Sequence, residues 1–489
     1  MSRISSALLL LLSLYFTTLS SPFLLPLPSS QPSKTSLSTS KVVILGGGFG
    51  GVYTALSFPK REDVQITLVS PSDRFTFSPL LYELATGDCD IDEVCPTLDS
   101  IFSEHSSTSN SINIVQSEVE SLDLPSRSVK LSTNVTLDYD YLIVATGKIP
   151  QTTSPVPVKS LENDEQINSY IYSSKNSSLT GKFSSQNGTW ITYLPSPTSS
   201  PKKMRTSEAY LSPAYPLHPP PTLQLKNSVL NFTTINDALL LRKKLPTLTS
   251  SSTVTIVGGG YSGVELCTSI KSLLNCNVNL IQRGQRILKT STSDFNVKKS
   301  TETITQLGVN VTYNTSLIKS TYSSSCVVST LSNGDKINSD VLIFTQPSSD
   351  YTVPDYGDLL SGHTTIQVDD CLRCVNRVYG KSYKNVFGLG DIVGGGKATA
   401  QKTMQQAGIV GYNVLSGIEG RKPLKFKYVD LGEMLTLGEE GVVSGLGGRV
   451  EVGGKVGGLM RKLVYTARMP TTQTRVRSLF GDISRAKQN

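Results

Sequence analysis

The stretch Lys41-Val-Val-Ile-Leu-Gly46-Gly-Gly48-Phe-Gly-Gly51-Val-Tyr-Thr-Ala-Leu56 decides the fold. A short apolar, β-branched run leads into a glycine turn and then into a helical run, which predicts a strand, a tight turn and a helix. In such a unit Gly46 makes the turn, Gly48 lets the backbone approach a pyrophosphate, and Gly51 lets the helix pack on the strand. The pyrophosphate would lie at the amino end of the helix. This stretch therefore predicts a dinucleotide-binding site.

A second copy of the pattern follows later in the chain. It reads Val254-Thr-Ile-Val-Gly258-Gly-Gly260-Tyr-Ser-Gly263-Val-Glu265. Two copies in one chain are far more specific than one. They predict an α/β protein with two tandem Rossmann-like dinucleotide-binding domains.

The residue that ends the strand after each glycine turn helps to select the nucleotide. In the first copy this residue is Ser70, where an acid that binds the ribose hydroxyls is usual, and Asp73 nearby could replace it. In the second copy it is Gln282, followed by Arg283. A neutral amide does not repel a 2′-phosphate and an arginine can pair with one, which favours NADPH or the use of both nucleotides. The alternative is that Arg283 and Arg286 are ordinary solvated charges.

Two further apolar strands end in glycine-containing loops. Tyr139–Gly147 ends in Ala-Thr146-Gly147, and Asn385–Asp391 ends in Gly390-Asp391. With these motifs the chain resembles the FAD- and NAD(P)-binding pyridine nucleotide oxidoreductases, and within them the type II NAD(P)H:quinone oxidoreductases. The resemblance implies FAD in the first domain and NADPH or NADH as hydride donor in the second. It also implies that Asp391 hydrogen-bonds the ribityl chain of FAD.

Three longer segments resemble the chloroplast C-type member of that family. Arg74–Gly87 is similar to its flavin-proximal segment, Leu431–Gly438 to its carboxy-terminal signature, and Arg461–Pro470 to its membrane-side stretch. The resemblance covers about residues 41–155 and 228–475. It implies hydride transfer from NAD(P)H to FAD and then transfer of two electrons to a membrane quinone, without proton pumping.

The fingerprints and the resemblance together predict the site residues. The predicted cofactor-binding residues are Gly46, Gly48, Phe49, Gly51, Ser70, Arg74, Pro79, Leu80, Thr146, Gly147, Gly258, Gly260, Gly263, Gln282, Arg283, Gly390 and Asp391. Glu265 resembles the family acid near the nicotinamide and the flavin; its alternative role is a carboxylate favoured by a helix dipole. Gln401 and Gln405 resemble the quinone-pocket amides, and in a helix they would share one face. A polar helix face without a ligand is the alternative for that pair.

The predicted order of segments nests one domain within the other. It runs as a leader (1–40), the first part of the FAD-binding domain (41–155), a low-complexity insertion (156–227), the NAD(P)H-binding domain (228–350), the second part of the FAD-binding domain (351–430) and a C-terminal membrane-associating region (431–489). The Pro- and Ser-rich core of the insertion, about 195–226, is expected to be disordered.

The leader combines a signal-like apolar run, Ala7–Phe16, with a hydroxyl-rich segment that has no acid. This pattern predicts a signal-plus-transit leader and a plastid location at the thylakoid or plastoglobule surface. A mitochondrial or secretory fate, or an uncleaved anchor, is the alternative.

Charge and composition narrow the partners. The net charge is +8 with no Lys/Arg stripe, so nucleic acid is not expected, and with three histidines no metal site is expected. The basic segment Leu459–Phe480 is interrupted at Pro470 and preceded by a glycine-rich stretch, 441–458, that suggests a flexible approach. The segment predicts peripheral membrane association, with a solvated basic tail as the alternative. A quinone is the predicted substrate, and a homodimer is a candidate assembly.

Two other functions stay open at this point. A flavin-dependent disulfide reductase needs a redox-active cysteine pair, for which Cys89 with Cys95 or Cys371 with Cys374 are the candidates. A non-catalytic flavin- or nucleotide-binding sensor would explain Ser70 and Gln282.

Overall fold

The computed structural model describes residues 39–107, 110–150, 228–323, 326–345, 356–360, 363–395 and 399–477, with residue 354 and the short strands at 158–160, 181–184, 189–192 and 351–352. The helices of these residues are α1 (Phe49–Leu56), α2 (Leu81–Thr86), α3 (Ile91–Val94), α4 (Leu98–Glu104), α5 (Ile235–Lys244), α6 (Tyr261–Leu273), α7 (Asp294–Leu307), α8 (Ala400–Ile418) and α9 (Gly454–Arg468). Short 3₁₀ turns occur at Ser78–Leu80, Leu245–Thr247, Gly357–Leu359 and Gly390–Ile392.

The strands fall into four groups along the chain. The first group is β1 (Ser40–Leu45), β2 (Val64–Ser70), β3 (Ile112–Gln116), β4 (Val119–Asp123), β5 (Ser128–Leu131), β6 (Thr136–Asp138), β7 (Tyr141–Val144) and β8 (Ile149–Pro150). The second is β9 (Val158–Ser160), β10 (Gly181–Ser184) and β11 (Thr189–Thr192). The third is β12 (Val229–Asn231), β13 (Thr253–Val257), β14 (Asn277–Ile281), β15 (Asn310–Thr312), β16 (Leu317–Tyr322), β17 (Val327–Leu331), β18 (Lys336–Ser339), β19 (Val341–Phe344) and β20 (Tyr351–Thr352). The last is β21 (Arg373–Val375), β22 (Ser382–Gly388), β23 (Glu433–Leu437), β24 (Glu440–Gly445) and β25 (Val450–Val452).

The first large sheet is built from both ends of the described chain. Its strand order is β21-β22-β7-β1-β2-β3, and β1 lies parallel to both β2 and β7. The strand order reverses at β1, and ligands of open α/β sheets bind at such a point, outside the carboxyl ends of the strands. The turn after β1 therefore lies where a dinucleotide is expected.

A second parallel sheet repeats this arrangement between β7 and β21. Its strand order is β12-β19-β13-β14-β15, and its reversal point is at β13, which lies parallel to β14 and β19. The predicted α/β class with Rossmann-like parallel sheets is confirmed by these two sheets.

The described parts of the predicted low-complexity insertion contain strands. Strand β9 pairs with β16 at one edge of the sheet β18-β17-β16-β9, and β10 pairs with β11 in a hairpin. The predicted disordered core, about 195–226, lies outside the described residues.

A three-stranded antiparallel sheet, β23-β24-β25, follows α8 and is covered by α9. The glycines here allow close packing. A Cβ on Gly457 would lie 2.3 Å from the Gly441 carbonyl oxygen, and one on Gly441 would lie 2.8 Å from the Gly458 Cα. The prediction of a flexible glycine-rich approach is therefore wrong, because these glycines let α9 lie directly on β24.

Helix α9 is also less of a basic surface than its sequence suggests. Arg461 and Val464 are buried, whereas Val456 and Leu459 point outwards with exposed fractions of 61% and 60%. The helix ends at Arg468, just before Pro470. Within the residues that the structure describes, no helix is both long enough and apolar enough to cross a membrane.

Candidate functional site

The first glycine turn has the geometry of an anion site. Gly46 has a φ of +111°, and a Cβ on Gly51 would lie 1.8 Å from the Gly46 carbonyl oxygen, so turn and helix are in direct backbone contact. A Cβ on Gly48 would meet no described atom within 4 Å. Gly48 is the N-cap of α1 and supplies no side-chain cap, and the first turn of α1 has no acid. The first N–H groups of α1 can therefore receive a phosphate, so these residues fit FAD.

The second glycine turn repeats the same geometry. Gly258 has a φ of +117°, and a Cβ on Gly263 would lie 1.7 Å from the Gly258 carbonyl oxygen. A Cβ on Gly260 would again be in open space with respect to the described atoms, and Gly260 caps α6 without a side-chain bond. The turn fits the pyrophosphate of NAD(P)H.

Ser70, at the end of β2, and Gln282, just after β14, both make hydrogen bonds within the protein. Ser70 is buried, and its hydroxyl donates to the Ser72 carbonyl oxygen at 2.7 Å. Gln282 is also buried: its Oε1 accepts from the Gly259 N–H at 3.0 Å, and its Nε2 donates to the Arg286 carbonyl oxygen at 2.8 Å. Gln282 thus ties the glycine turn to the loop that follows β14.

The basic residues beside Gln282 differ in their surroundings. Arg283 is exposed, and within the described parts of the chain it forms no ion pair. Arg286 lies 3.4 Å from the carboxylate of Asp294, which is itself almost fully exposed. Arg283 can therefore meet a ligand at the end of β14, whereas Arg286 would first have to leave Asp294 and the Ser291 carbonyl oxygen, to which it donates at 3.2 Å.

The predicted cofactor residues of the flavin-side segment, Arg74–Gly87, do not all point the same way. Arg74 forms an ion pair with Asp92 at 2.7 Å and donates to the Cys95 carbonyl oxygen at 2.7 Å. Its guanidinium therefore holds this segment to the α3 region. Leu80 is buried, and Pro79 lines the cavity described below.

Strands β7 and β22 are parallel neighbours, so their loops meet at the same edge of the first sheet. Thr146 accepts a hydrogen bond from the Tyr356 hydroxyl at 2.9 Å, and the Gly390 N–H donates to Gln406 Oε1 at 3.0 Å. The Asp391 residue is exposed at this edge, yet its carboxyl is partly enclosed. That desolvation raises the pKa of Asp391, although Lys148 and Lys402 act in the opposite direction.

A cavity of about 160 Å³ lies where α1, the flavin-side segment, α8, β23 and α9 converge. It is lined by Phe49, Phe77, Pro79, Thr399, Ala400, Gln401, Met404, Gly432, Met434, Tyr465 and Arg468. The ring centroids of Phe49 and Phe77 are 5.4 Å apart, and those of Phe77 and Tyr465 are 5.7 Å apart. Such an aromatic wall with a few polar groups suits a flat organic ligand.

Of the two glutamines predicted to line the quinone pocket, only Gln401 lines the cavity. Its Oε1 accepts from the Tyr428 hydroxyl at 2.5 Å. Gln405 is not among the lining residues, because its amide bonds to both backbone groups of Val429, at 2.8 and 3.0 Å. We therefore correct the assignment of Gln405: it holds the chain segment at Val429 rather than facing the cavity.

Glu265 is buried at the interface between α6 and β23. Its Oε1 accepts from the Thr436 N–H at 3.2 Å and lies 3.9 Å from Arg461 Nη2. Burial raises the pKa of Glu265 to about 7, against the attraction of Arg461 and the hydrogen bond from Thr436. A carboxyl in this range can hold or release a proton at neutral pH.

Arg461, Tyr82 and Glu83 are site residues that the sequence reasoning missed. Arg461 lies within hydrogen-bonding distance of Glu83, and Tyr82 hydrogen-bonds with Thr436 at 2.6 Å. All three belong to the segments Arg74–Gly87 and Arg461–Pro470, which were noted for their family resemblance. The sequence does not indicate that these two segments contact each other. That proximity depends on the tertiary fold.

The cysteines have the surroundings of structural thiols rather than those of a redox pair. None of the seven cysteines is in a disulfide, and Cys89, Cys95, Cys371 and Cys374 are all buried. Burial raises the pKa of Cys95 to about 12 and that of Cys374 further. Reactive cysteines need the opposite shift. The described residues also contain no group of three or more His, Cys, Asp or Glu that could hold a metal ion.

The profile of one protein family, pyridine nucleotide-disulphide oxidoreductase, matches residues 40–182 and 212–407. The chain belongs to this family. Among the relatives of this family member is the demethylphylloquinone reductase NdbB of Synechocystis sp., which is 28% identical over 456 residues, covering 88% of this chain and 93% of the relative. Another is the alternative NAD(P)H-ubiquinone oxidoreductase C1, chloroplastic/mitochondrial, of Arabidopsis thaliana. It is 26% identical over 487 residues, which cover 89% of this chain and 79% of the relative.

A solved structure of NDH2 from Plasmodium falciparum, in complex with RYL-552, superposes with a TM-score of 0.65. It covers 92% of this chain and 98% of its own, at 16% identity, and therefore supports the fold. Together with the named relatives, this oxidoreductase family assignment confirms the resemblance that the sequence motifs indicate.

Proposed function

We propose that this chain is a FAD-dependent NAD(P)H:quinone oxidoreductase of the type II class. The observation that carries the proposal is the cavity between Phe49, Gln401 and Tyr465, which lies beside the first glycine turn. The names of the two relatives that match most of the chain, a demethylphylloquinone reductase and an NAD(P)H-ubiquinone oxidoreductase, support the same reaction.

The chain's own residues fit the reaction. A bound flavin supplies the two-electron chemistry between a hydride donor and a quinone. The glycine turns at Gly48 and Gly260 are open for the two pyrophosphates, and the Asp391 carboxyl lies at the sheet edge where the ribityl chain is expected. The Gln401 amide can donate to a quinone carbonyl without changing its charge.

The overall reaction consumes one proton as well as the hydride, because NAD(P)H, H⁺ and quinone yield NAD(P)⁺ and quinol. Glu265 is the buried acid whose pKa, about 7, suits the holding of that proton. This role adds to the predicted orientation of the hydride donor. No step of the proposal moves a proton across a membrane.

The residues after β14 favour NADPH or both nucleotides. Gln282 is neutral and buried, so nothing at this position repels a 2′-phosphate, and Arg283 is exposed beside it. The name of the Arabidopsis thaliana relative gives both nucleotides in the form NAD(P)H.

Membrane contact and location are also proposals. The exposed Val456 and Leu459 lie three residues apart on α9 beside the exposed Lys455, a pattern that suits insertion into a membrane interface. The plastid location rests on the leader, of which residues 1–38 lie outside the described residues, and on a relative named chloroplastic/mitochondrial. A homodimer stays a prediction.

The test uses the full chain purified with its flavin. NADH or NADPH is added without oxygen while the flavin absorbance is followed, and a soluble quinone is then added. We expect bleaching by NADPH at least as fast as by NADH, and reoxidation by the quinone. A flavin that neither nucleotide bleaches would favour the non-catalytic sensor, and reoxidation by a disulfide but not by a quinone would favour the disulfide reductase.

A matched pair of variants tests the cavity itself. Gln401→Ala should slow reoxidation by quinone and leave bleaching by NAD(P)H unchanged, because Gln401 lines the cavity. Tyr412→Phe, further along α8, removes a hydroxyl that accepts a hydrogen bond from Arg421 outside the cavity lining and serves as the control. Equal effects of the two substitutions on reoxidation would contradict the assignment of the cavity to the quinone.

A further inference from the structure

Arg461 is a buried cation in the C-terminal helix α9. Its side chain is 4% exposed. Its Nη1 lies 3.2 Å from Glu83 Oε1, its Nη2 donates to the Pro79 carbonyl oxygen at 3.2 Å, and the same Nη2 lies 3.9 Å from Glu265 Oε1. A buried charge persists only where partners replace its water. Here those partners come from two segments far away in the sequence.

Two tyrosine rings enclose the guanidinium. The Arg461 Cζ lies 5.3 Å from the ring centroid of Tyr82 and 4.4 Å from that of Tyr465. Both distances are within the range of cation–π attraction. Arg461 Nε is buried and makes no hydrogen bond to a described residue, so the contacts are concentrated at the two terminal nitrogens.

The contacts form a closed cluster. Tyr82 donates its hydroxyl hydrogen to Glu83 at 2.7 Å and hydrogen-bonds with Thr436 Oγ1 at 2.6 Å, while the Thr436 N–H donates to Glu265. We call Pro79, Tyr82, Glu83, Glu265, Thr436 and Arg461 the Arg461 cluster. It joins the flavin-side segment, α6 of the nicotinamide domain and the C-terminal sheet and helix. Pro79 also lines the cavity, so the cluster borders the proposed reaction site.

We propose that Arg461 is a positioning residue, which holds the flavin-side segment against Glu265 and sets the charge that Glu265 carries beside the reaction site. The proposal rests on the proposed function and deepens it. It also gives the C-terminal helix a role inside the protein, in addition to any role at a membrane.

The charges around Glu265 decide the direction of the effect. The charged or titratable groups that act on it are Arg461 from α9, Glu83 and Tyr82 from α2, and Tyr261 from α6. Arg461 is the cation among them, and Glu83 is a second carboxyl. Removal of the cation therefore leaves Glu265 with burial and a like charge, both of which raise the pKa of Glu265.

The first test measures thermal unfolding of the full chain from pH 5 to pH 9, without any nicotinamide nucleotide. The difference in Tm between the Glu265→Gln variant and the parent reports the titration of Glu265 in the folded protein. With Arg461 present, we expect this difference to level off near pH 7, and we call the pH at which it levels off the bend. When both proteins also carry Arg461→Gln, the bend should lie higher by about one pH unit or more.

The second test measures the pH dependence of flavin reduction by NADH in the same proteins. The inflection should move in the same direction in Arg461→Gln, and Arg461→Lys should restore most of the shift because it keeps the charge. Lys455→Gln is the matched control, since it removes one positive charge from an exposed position of the same helix. It should leave both profiles unchanged.

A bend at the same pH in both backgrounds would overturn the proposal, as would an equal shift in Lys455→Gln. If Arg461→Gln does not fold, Arg461→Lys carries the test. Because lysine keeps the charge, both pH profiles should stay at the parent's pH, whereas the loss of the guanidinium contacts to Glu83 and Pro79 should slow flavin reduction. A parent-like rate of flavin reduction in Arg461→Lys would refute the positioning role. The unfolding measurement needs no turnover. A chain that fails to reduce quinone would therefore contradict the proposed function without deciding the role of Arg461.

Discussion

The first glycine turn allows one substitution to be tested at two positions with opposite expectations. In Gly51→Ala the new Cβ would lie 1.8 Å from the Gly46 carbonyl oxygen, whereas real Cβ atoms essentially never approach within 3.0 Å. Helix and turn must therefore separate by at least 3.0 − 1.8 = 1.2 Å. Overpacking costs about 1–3 kcal/mol, and with backbone atoms on both sides we expect roughly 3 kcal/mol. At about 2–4 °C per kcal/mol, Tm should fall by about 6–12 °C.

Gly48→Ala should leave the stability of the flavin-free protein unchanged and weaken the binding of FAD. Gly48 has a φ of −88°, which alanine adopts freely, and its Cβ would meet no described atom within 4 Å. The methyl would instead occupy the space through which a pyrophosphate approaches. A clash of about 1–3 kcal/mol there would weaken FAD binding by roughly 10- to 100-fold.

The assay combines differential scanning fluorimetry of the flavin-free protein with titration of FAD into each variant. We expect a low Tm for Gly51→Ala, and a normal Tm with weak FAD binding for Gly48→Ala. A Gly51→Ala protein that melts at the parent's temperature, or a Gly48→Ala protein that binds FAD as tightly as the parent, would refute the assignment of these two glycines.

Three further predictions concern Glu265, Gln282 and one pair of cysteines. Because burial raises the pKa of Glu265 from 4.5 to about 7, the contribution of Glu265 to the free energy of unfolding is present below pH 4.5 and is lost as the pH rises through 7. The free energy of unfolding of Glu265→Gln, measured in urea, should therefore rise by about 3 kcal/mol relative to the parent across that pH range. Above pH 7 the difference should level off. Gln282→Glu should shift the ratio of kcat/KM values toward NADH by about tenfold or more, equivalent to ~1.4 kcal/mol, whereas Gln285→Glu at an exposed neighbouring position should shift it far less. The double replacement of Cys371 and Cys374 by Ser should leave quinone reduction within about twofold of the parent, because both thiols are buried and outside any disulfide. A loss of turnover in an otherwise stable protein would favour the disulfide reductase alternative.

The sequence by itself determined the features that are local along the chain. A glycine turn between a strand and a helix is specified by consecutive residues, so Gly46, Gly48 and Gly51 lie in the structure as their spacing predicts. The loops that contain Thr146 and Asp391 each come directly after a strand, and they meet because parallel strands bring their carboxyl ends to one edge of a sheet.

The tertiary structure decided what depends on contacts between distant segments. Gln401 and Gln405 share a helix, yet only the packing of the chain near Val429 shows that Gln405 bonds there instead of lining the cavity. Arg461 and Glu83 are 378 positions apart, and a sequence of basic residues gives no sign that one of them turns inwards. Such contacts form because buried charges need partners, and the partners available to Arg461 are set by which segments the two parallel sheets bring against α9.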